Sequence, residues 1–266
     1  MNRGEDRNSS IELLKIFALF IIVISHSLPR YGANSYTIDF NYARFNFDYI
    51  LNVFEYYFGQ IGNAIFIVCS SWFLLDNSRV RSDKVRMIVT DSFVISIGYL
   101  IIFLMVGIRI TNKLFIKQFF PITFENNWFI TCYIIMYLTH GILNKIIEVI
   151  DKRQYLNIIF GSMFLYCILE IVVSSNYRYC DMLGFWTIYM FAGYIKKYNI
   201  RKQYNWKKIF IISSFILIMT VILTDYFGTI SSIFSDKVLK WCRFNNIIII
   251  VMAFSLLFIA LETKFY

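Results

Sequence analysis

The chain has 266 residues, of which 58% are hydrophobic and only 16% charged, with a formal net charge of +9 and mean hydropathy of +0.59. A soluble domain carries roughly 25% charged residues, so this composition excludes an ordinary soluble fold. The positive charge does not indicate a nucleic-acid partner, because Lys and Arg gather between long apolar runs, the pattern expected of the inner loops of a membrane protein.

A helix that crosses a bilayer needs about 20 mostly apolar residues. Eight stretches come close to that description: 11–28, 59–75, 88–107, 128–143, 155–174, 182–198, 208–227 and 244–261. The expected fold is therefore all-α, a polytopic transmembrane helix bundle of about eight spans. Glu12 and Lys15 interrupt the start of the first stretch and no small-residue cleavage site follows Leu28, so it reads as a retained span and not a signal peptide. With the N-terminus inside, the inner segments hold sixteen Lys and Arg residues and the outer segments nine, with Lys15 inside the first helix. That excess predicts a multi-pass protein of the cell membrane with cytoplasmic N- and C-termini.

The connecting segments differ in chemistry. Segment 29–57 is aromatic, with Tyr31, Tyr36, Phe40, Tyr42, Phe45, Phe47 and Tyr49, and fits either an interfacial belt or a stacking surface for carbohydrate. Segment 196–208 carries six cations and no acid, which predicts that it lies against anionic lipid. The five cysteines (Cys69, Cys132, Cys167, Cys180 and Cys242) form no CxxC pair and read as small apolar fillers. No cysteine–histidine metal spacing is present, nor a phosphate-binding Gly-rich loop, HExxH or GxSxG, so no metal ligands are assigned.

Ionisable groups at membrane depth are costly, which makes each a functional candidate. The first helix holds Lys15 and His26, eleven residues apart. At ~100° and ~1.5 Å per residue they fall on one stripe, offset by about 20° and separated by about 16 Å along the axis. A cation near the inner mouth would attract an anionic donor such as a coenzyme A thioester. An imidazole farther out would accept the proton of an attacking hydroxyl. The same pattern fits a lysine reaching back to the interface and a histidine capping the helix with water. Asp91 reads as a partner for Arg86 or Lys15, Glu170 and Asp225 as residues near outer helix ends with Asp225 exposed, and His140 as a satisfied interfacial histidine. Ser70 and Ser71 read as small residues that let helices approach closely.

Two runs resemble a known family. The first is Ile11-Glu12-Leu13-Leu14-Lys15-Ile16-Phe17-Ala18 followed by Ile21-Ile22-Val23-Ile24-Ser25-His26. The second is Ala64-Ile65-Phe66-Ile67-Val68-Cys69-Ser70-Ser71-Trp72-Phe73-Leu74-Leu75, and weaker matches lie at Asn127-Trp128-Phe129-Ile130 and Phe191-Ala192-Gly193-Tyr194. In this order they are similar to acyltransferase family 3, the multi-span acyltransferases that modify bacterial surface sugars. The resemblance implies O-acylation, commonly O-acetylation in polysaccharide biosynthesis. The donor would be acetyl-CoA or another acyl-CoA, with no permanently bound cofactor, and the acceptor a polysaccharide or lipid-linked sugar. It places His26 and Lys15 at the catalytic positions; as an O-acyltransferase the chain would hold the donor with Lys15, and Ser70 and Trp128 would shape its passage. Lys15 stands where the family more often has Arg, and Ser71 where it has Gly. Residues 1–266 read as a single transmembrane acyltransferase domain, short of the family fold's last two spans. The competing readings are a glycan or small-anion transporter without covalent chemistry and an inactive truncated family member.

Overall fold

The structure is a computed structural model that describes residues 9–27, 47–124, 127–169, 180–230, 243–244 and 246–263. Every regular element among them is helical: α1 Ser9–Ser27, α2 Phe47–Leu74, α3 Ser82–Met105, α4 Asn112–Phe119, α5 Trp128–Val149, α6 Lys152–Met163, α7 Cys180–Lys197, α8 Trp206–Ile230 and α9 Ile247–Glu262. A π-helical turn, Phe164–Ile168, prolongs α6, and a 3-10 turn, Ile200–Gln203, separates α7 from α8. Pro121 falls between α4 and α5, where a missing N–H costs no ladder bond. Polar caps set several starts. Asp151 accepts from Arg153 N at 2.8 Å and Gln154 N at 2.9 Å, and Asn246 accepts from Ile248 N at 2.8 Å.

Each of the eight apolar stretches contains a helix. By length and apolar composition, however, five helices among the described residues qualify as membrane spans: α1, α2, α3, α5 and α8. The sequence reading counts eight because it pools short and long apolar runs. In the structure α9 is apolar but only 16 residues long, and α6 ends after 12 residues before its π turn. The amphipathic α4, between the third and fourth stretches, is an addition that its few apolar residues did not announce.

Cross-helix contacts fix the helix directions. Gly59 faces Ser25 and Gly62 faces Ile22, so α1 and α2 are antiparallel. Phe66 meets Phe129, and Asn144 bonds to Leu74 O at 3.1 Å, so α5 runs parallel to α2. Trp72 meets Phe258, and Gln60 Oε1 accepts from Phe244 N at 3.1 Å, so α9 is parallel to α2 as well. The core lies where α2 and α9 meet their neighbours. Ala64, Ile65, Ile67, Val68 and Cys69 on α2, and Ala253, Phe254, Leu257 and Phe258 on α9, are fully buried. Conversely, α1 exposes Leu13, Ile16, Phe17, Leu19, Phe20 and Val23, and α3 and α8 are similarly apolar outward. Apolar side chains outside and polar groups between helices are the arrangement that lipid selects.

Candidate functional site

The seam between α1 and α2 carries both residues singled out on the first helix. One stripe of α1 (Ile11, Leu14, Ala18, Ile21 and Ser25) is buried, and Lys15, Ile22 and His26 run along its flank. The helices touch closely because α2 presents glycines. A Cβ on Gly62 would stand 2.7 Å from the carbonyl oxygen of Ala18 and 2.6 Å from Ile22 Cγ1, and one on Gly59 would meet Ser25.

Lys15 is half-buried. Its Nζ lies 3.8 Å from Glu12 Oε1, a weak partly exposed pair, and 5.9 Å from the centre of the Phe73 ring. It also lies within electrostatic reach of Cys69 and Tyr133, and the Tyr133 hydroxyl lies close to that of Ser70. Lys15 and Ser70, expected together, thus share one level of the bundle.

His26 is exposed at the other end of α1. Its Nδ1 lies 2.8 Å from Ile22 O and 3.2 Å from Ser25 Oγ, and the Ser25 hydroxyl donates to the same carbonyl at 2.7 Å. A carbonyl oxygen only accepts, so Nδ1 carries a hydrogen, and in the neutral ring the lone pair is the one on Nε2. This tautomer suits a base.

Trp128 opens α5, whose first turn is capped by Asn127 Oδ1 accepting from Ile130 N at 3.3 Å. It stacks on Phe244 at 5.4 Å and 26°, and an edge-to-face set of Phe66, Phe129 and Phe185 surrounds it. Since Phe129 sits level with Phe66, Trp128 lies about five residues, or ~7 Å, along α2 from the level of Ser70. The structure does not bring Trp128 to Lys15. Tyr133 occupies that position, and Trp128 sits between the levels of Lys15 and His26.

Tyr133 was not anticipated, although Tyr133, Tyr137, His140 and Asn144 recur at helical spacing on one face of α5. The inner members of that stripe hold the end of α2. The two ring nitrogens of His140 face the carbonyl oxygens of Tyr137 and Asn77, the latter at 2.8 Å. Asn144 Nδ2 donates to Leu74 O and Ser78 Oγ, both at 3.1 Å, while Tyr189 donates to Asn144 Oδ1 at 2.6 Å. Lys196 completes the anchor, paired with Asp76 at 2.6 Å and donating to Trp72 O at 2.8 Å.

Residues 8–264 match the family of acyltransferase domains that the two runs suggested. The chain belongs to acyltransferase family 3. The match starts one residue before α1 and ends one residue after the last described position, so the acyltransferase-family domain takes in the whole helix bundle. No curated protein matches the chain, and no solved structure does.

Several expectations for this acyltransferase-family bundle change. Asp225 is buried at 4% exposure, not exposed, because α8 continues to Ile230 and leaves it inside the helix. Asp91 is exposed on α3 and has no ion-pair partner among the described residues; α3 packs chiefly on α4 and α5, away from Lys15. Ser71, fully buried, donates to Met136 Sδ at 3.8 Å. Segment 196–208 is not wholly given over to lipid. Lys197 donates to the carbonyls of Ile147 (2.6 Å), Glu148 (3.2 Å) and Ile150 (2.8 Å), so both it and Lys196 serve helix C-termini, whose unpaired carbonyls attract cations. Glu170, Cys242 and the aromatics Tyr31 to Phe45 lie outside the described residues, as do the side chains of Phe47, Tyr49 and Cys180.

Proposed function

We propose that this family member is a membrane-embedded O-acyltransferase. It moves an acetyl group from cytoplasmic acetyl-CoA to a hydroxyl of a cell-surface polysaccharide or lipid-linked sugar. The observation that carries the reading is the α1 flank, where a half-buried ammonium and an imidazole with an available Nε2 lone pair lie along one seam.

Lys15 attracts the phosphates of the donor from the side on which α1 begins, and the Ser70–Tyr133 hydroxyl pair lies beside it. His26 Nε2 takes the proton of the acceptor hydroxyl as that oxygen attacks the thioester carbonyl. A carbon–oxygen bond forms, the carbon–sulfur bond breaks, and the imidazolium returns its proton to the departing thiolate. Trp128 and its aromatic neighbours stand at the intermediate level, where they exclude water from the acyl group's path. In this reading all eight apolar stretches span the membrane, with both termini cytoplasmic, as the alternating helix directions and the charge excess support.

The test is His26→Ala. Surface-glycan acetylation is expected to fall to background, while the protein's abundance in the membrane stays at the parent level. Full transfer by that variant would remove His26 from the chemistry.

A further inference from the structure

The two serines on α3 form a feature that the acyl-transfer chemistry leaves unused. Ser92 and Ser96, one turn apart, are 5% and 7% exposed, whereas Val94, Ile95, Ile101 and Ile102 on the same helix face outward. Buried hydroxyls on membrane helices usually donate to the carbonyl one turn back. Ser213, Thr224 and Ser255 all do so here. Ser92 and Ser96 do not, and neither has a hydrogen-bond partner among the described residues. An unpaired hydroxyl away from water costs free energy, so two on one face call for an external partner.

They line a cavity of about 350 Å³ between α3 and the first turn of α5, closed on one side by α4. Ile95, Tyr99, Phe103, Gln118, Asn127 and Ile130 complete its wall, and no lining residue is charged. The volume lies within the range of small-ligand sites, roughly 300–1,000 Å³. Tyr99 and Phe103, 6.5 Å apart, offer ring faces, while Ser92, Ser96, Tyr99 and Asn127 offer hydrogen-bonding groups. A ligand matching this wall is neutral, rich in hydroxyls, and has one apolar face. A sugar ring meets all three conditions. The cavity also lies toward the half of the bundle that holds His26, since α3 starts beside the end of α2 and lines the cavity from its middle onward.

We infer that this cavity binds a neutral sugar residue, with the Ser92 and Ser96 hydroxyls bonded to its ring hydroxyls and Tyr99 or Phe103 against its apolar face. The inference rests on the acyltransferase reading for assigning that sugar to the acceptor; the binding itself does not depend on transfer.

The experiment uses the full chain in lipid nanodiscs and octyl β-glucoside bearing a photoreactive diazirine at the end of its tail, with diazirine-labelled octanol as control. The glucoside is expected to label α3 and α5 around the cavity. Labelling should drop about tenfold in the Ser92→Ala/Ser96→Ala double variant, the size expected for two lost hydrogen bonds. It should vanish in Ser96→Leu, which fills the space, while octanol labelling stays equal in all three proteins. Competition by free maltose would mark a soluble polysaccharide as the source, and competition by unlabelled octyl glucoside alone a lipid-linked sugar; either supports the site. Equal glucoside labelling of the parent and double variant, or equal labelling by octanol, overturns it. Acetyl transfer is assayed separately. Loss of labelling in the double variant with transfer intact refutes only the assignment of that sugar to the acceptor, and labelling of the parent chain without transfer refutes only the catalytic reading.

Discussion

At the scale of single residues, the site separates into a donor end and an acceptor end. Lys15 has weak local partners, Glu12 at 3.8 Å and the Phe73 ring, so its charge is largely uncommitted within the bundle. Lys15→Ala is therefore expected to raise KM for acyl-CoA by about tenfold or more, the scale of one charge-assisted contact. Lys15→Arg should restore it, because Arg keeps the charge and adds a fork that fits phosphate. Steady-state kinetics with varied acyl-CoA checks both, and an unchanged KM in Lys15→Ala would sever Lys15 from the donor. Lys15 and His26 were legible in the sequence because one helix fixes their spacing and phase. Tyr133 was not, since its meeting with Ser70 depends on the register of α5 against α2. The roles of Lys196 and Lys197 were hidden for a similar reason: a run of cations does not reveal which helix ends will fold up against it.

At the scale of elements, α2 is the axis. Small residues seat it against α1, and the polar groups of α5 and α7 hold its end. Gly62→Val would drive a branched side chain into the Ala18 carbonyl, with an overpacking cost of about 1–3 kcal/mol. A lower melting temperature and reduced transfer are expected together. Gly98→Ala, where nothing lies within 4 Å, should leave both unchanged. Asn144→Leu removes donors to Leu74 O and Ser78 Oγ and orphans the buried Tyr189 hydroxyl, costing about 1–3 kcal/mol. Thermal unfolding in detergent measures it, and an unshifted midpoint would mean that the α2 end is held by other bonds. The long apolar helices α1, α3 and α8 could be read from composition. Short helices were harder: the 12 residues of α6 and the amphipathic α4 take their places from packing and from interfacial position, which no hydropathy window contains.

At the scale of the whole molecule, the alternating directions of the helices make a topological prediction. Reporters fused after Arg79 and after Gln203 should both read cytoplasmic, and one placed at Gly107, in the turn after α3, should read the opposite side. Disagreement between the first two would break the up-and-down order. The bundle is also unevenly tethered. The end of α2 is bolted to two neighbours, whereas α1 rests on a glycine seam with most of its circumference bare. If α1 rocks on that seam during a catalytic cycle, it would carry its ammonium and imidazole together. Donor capture and proton abstraction would then be geared to a single stroke, so a brake applied anywhere along that helix would stall both.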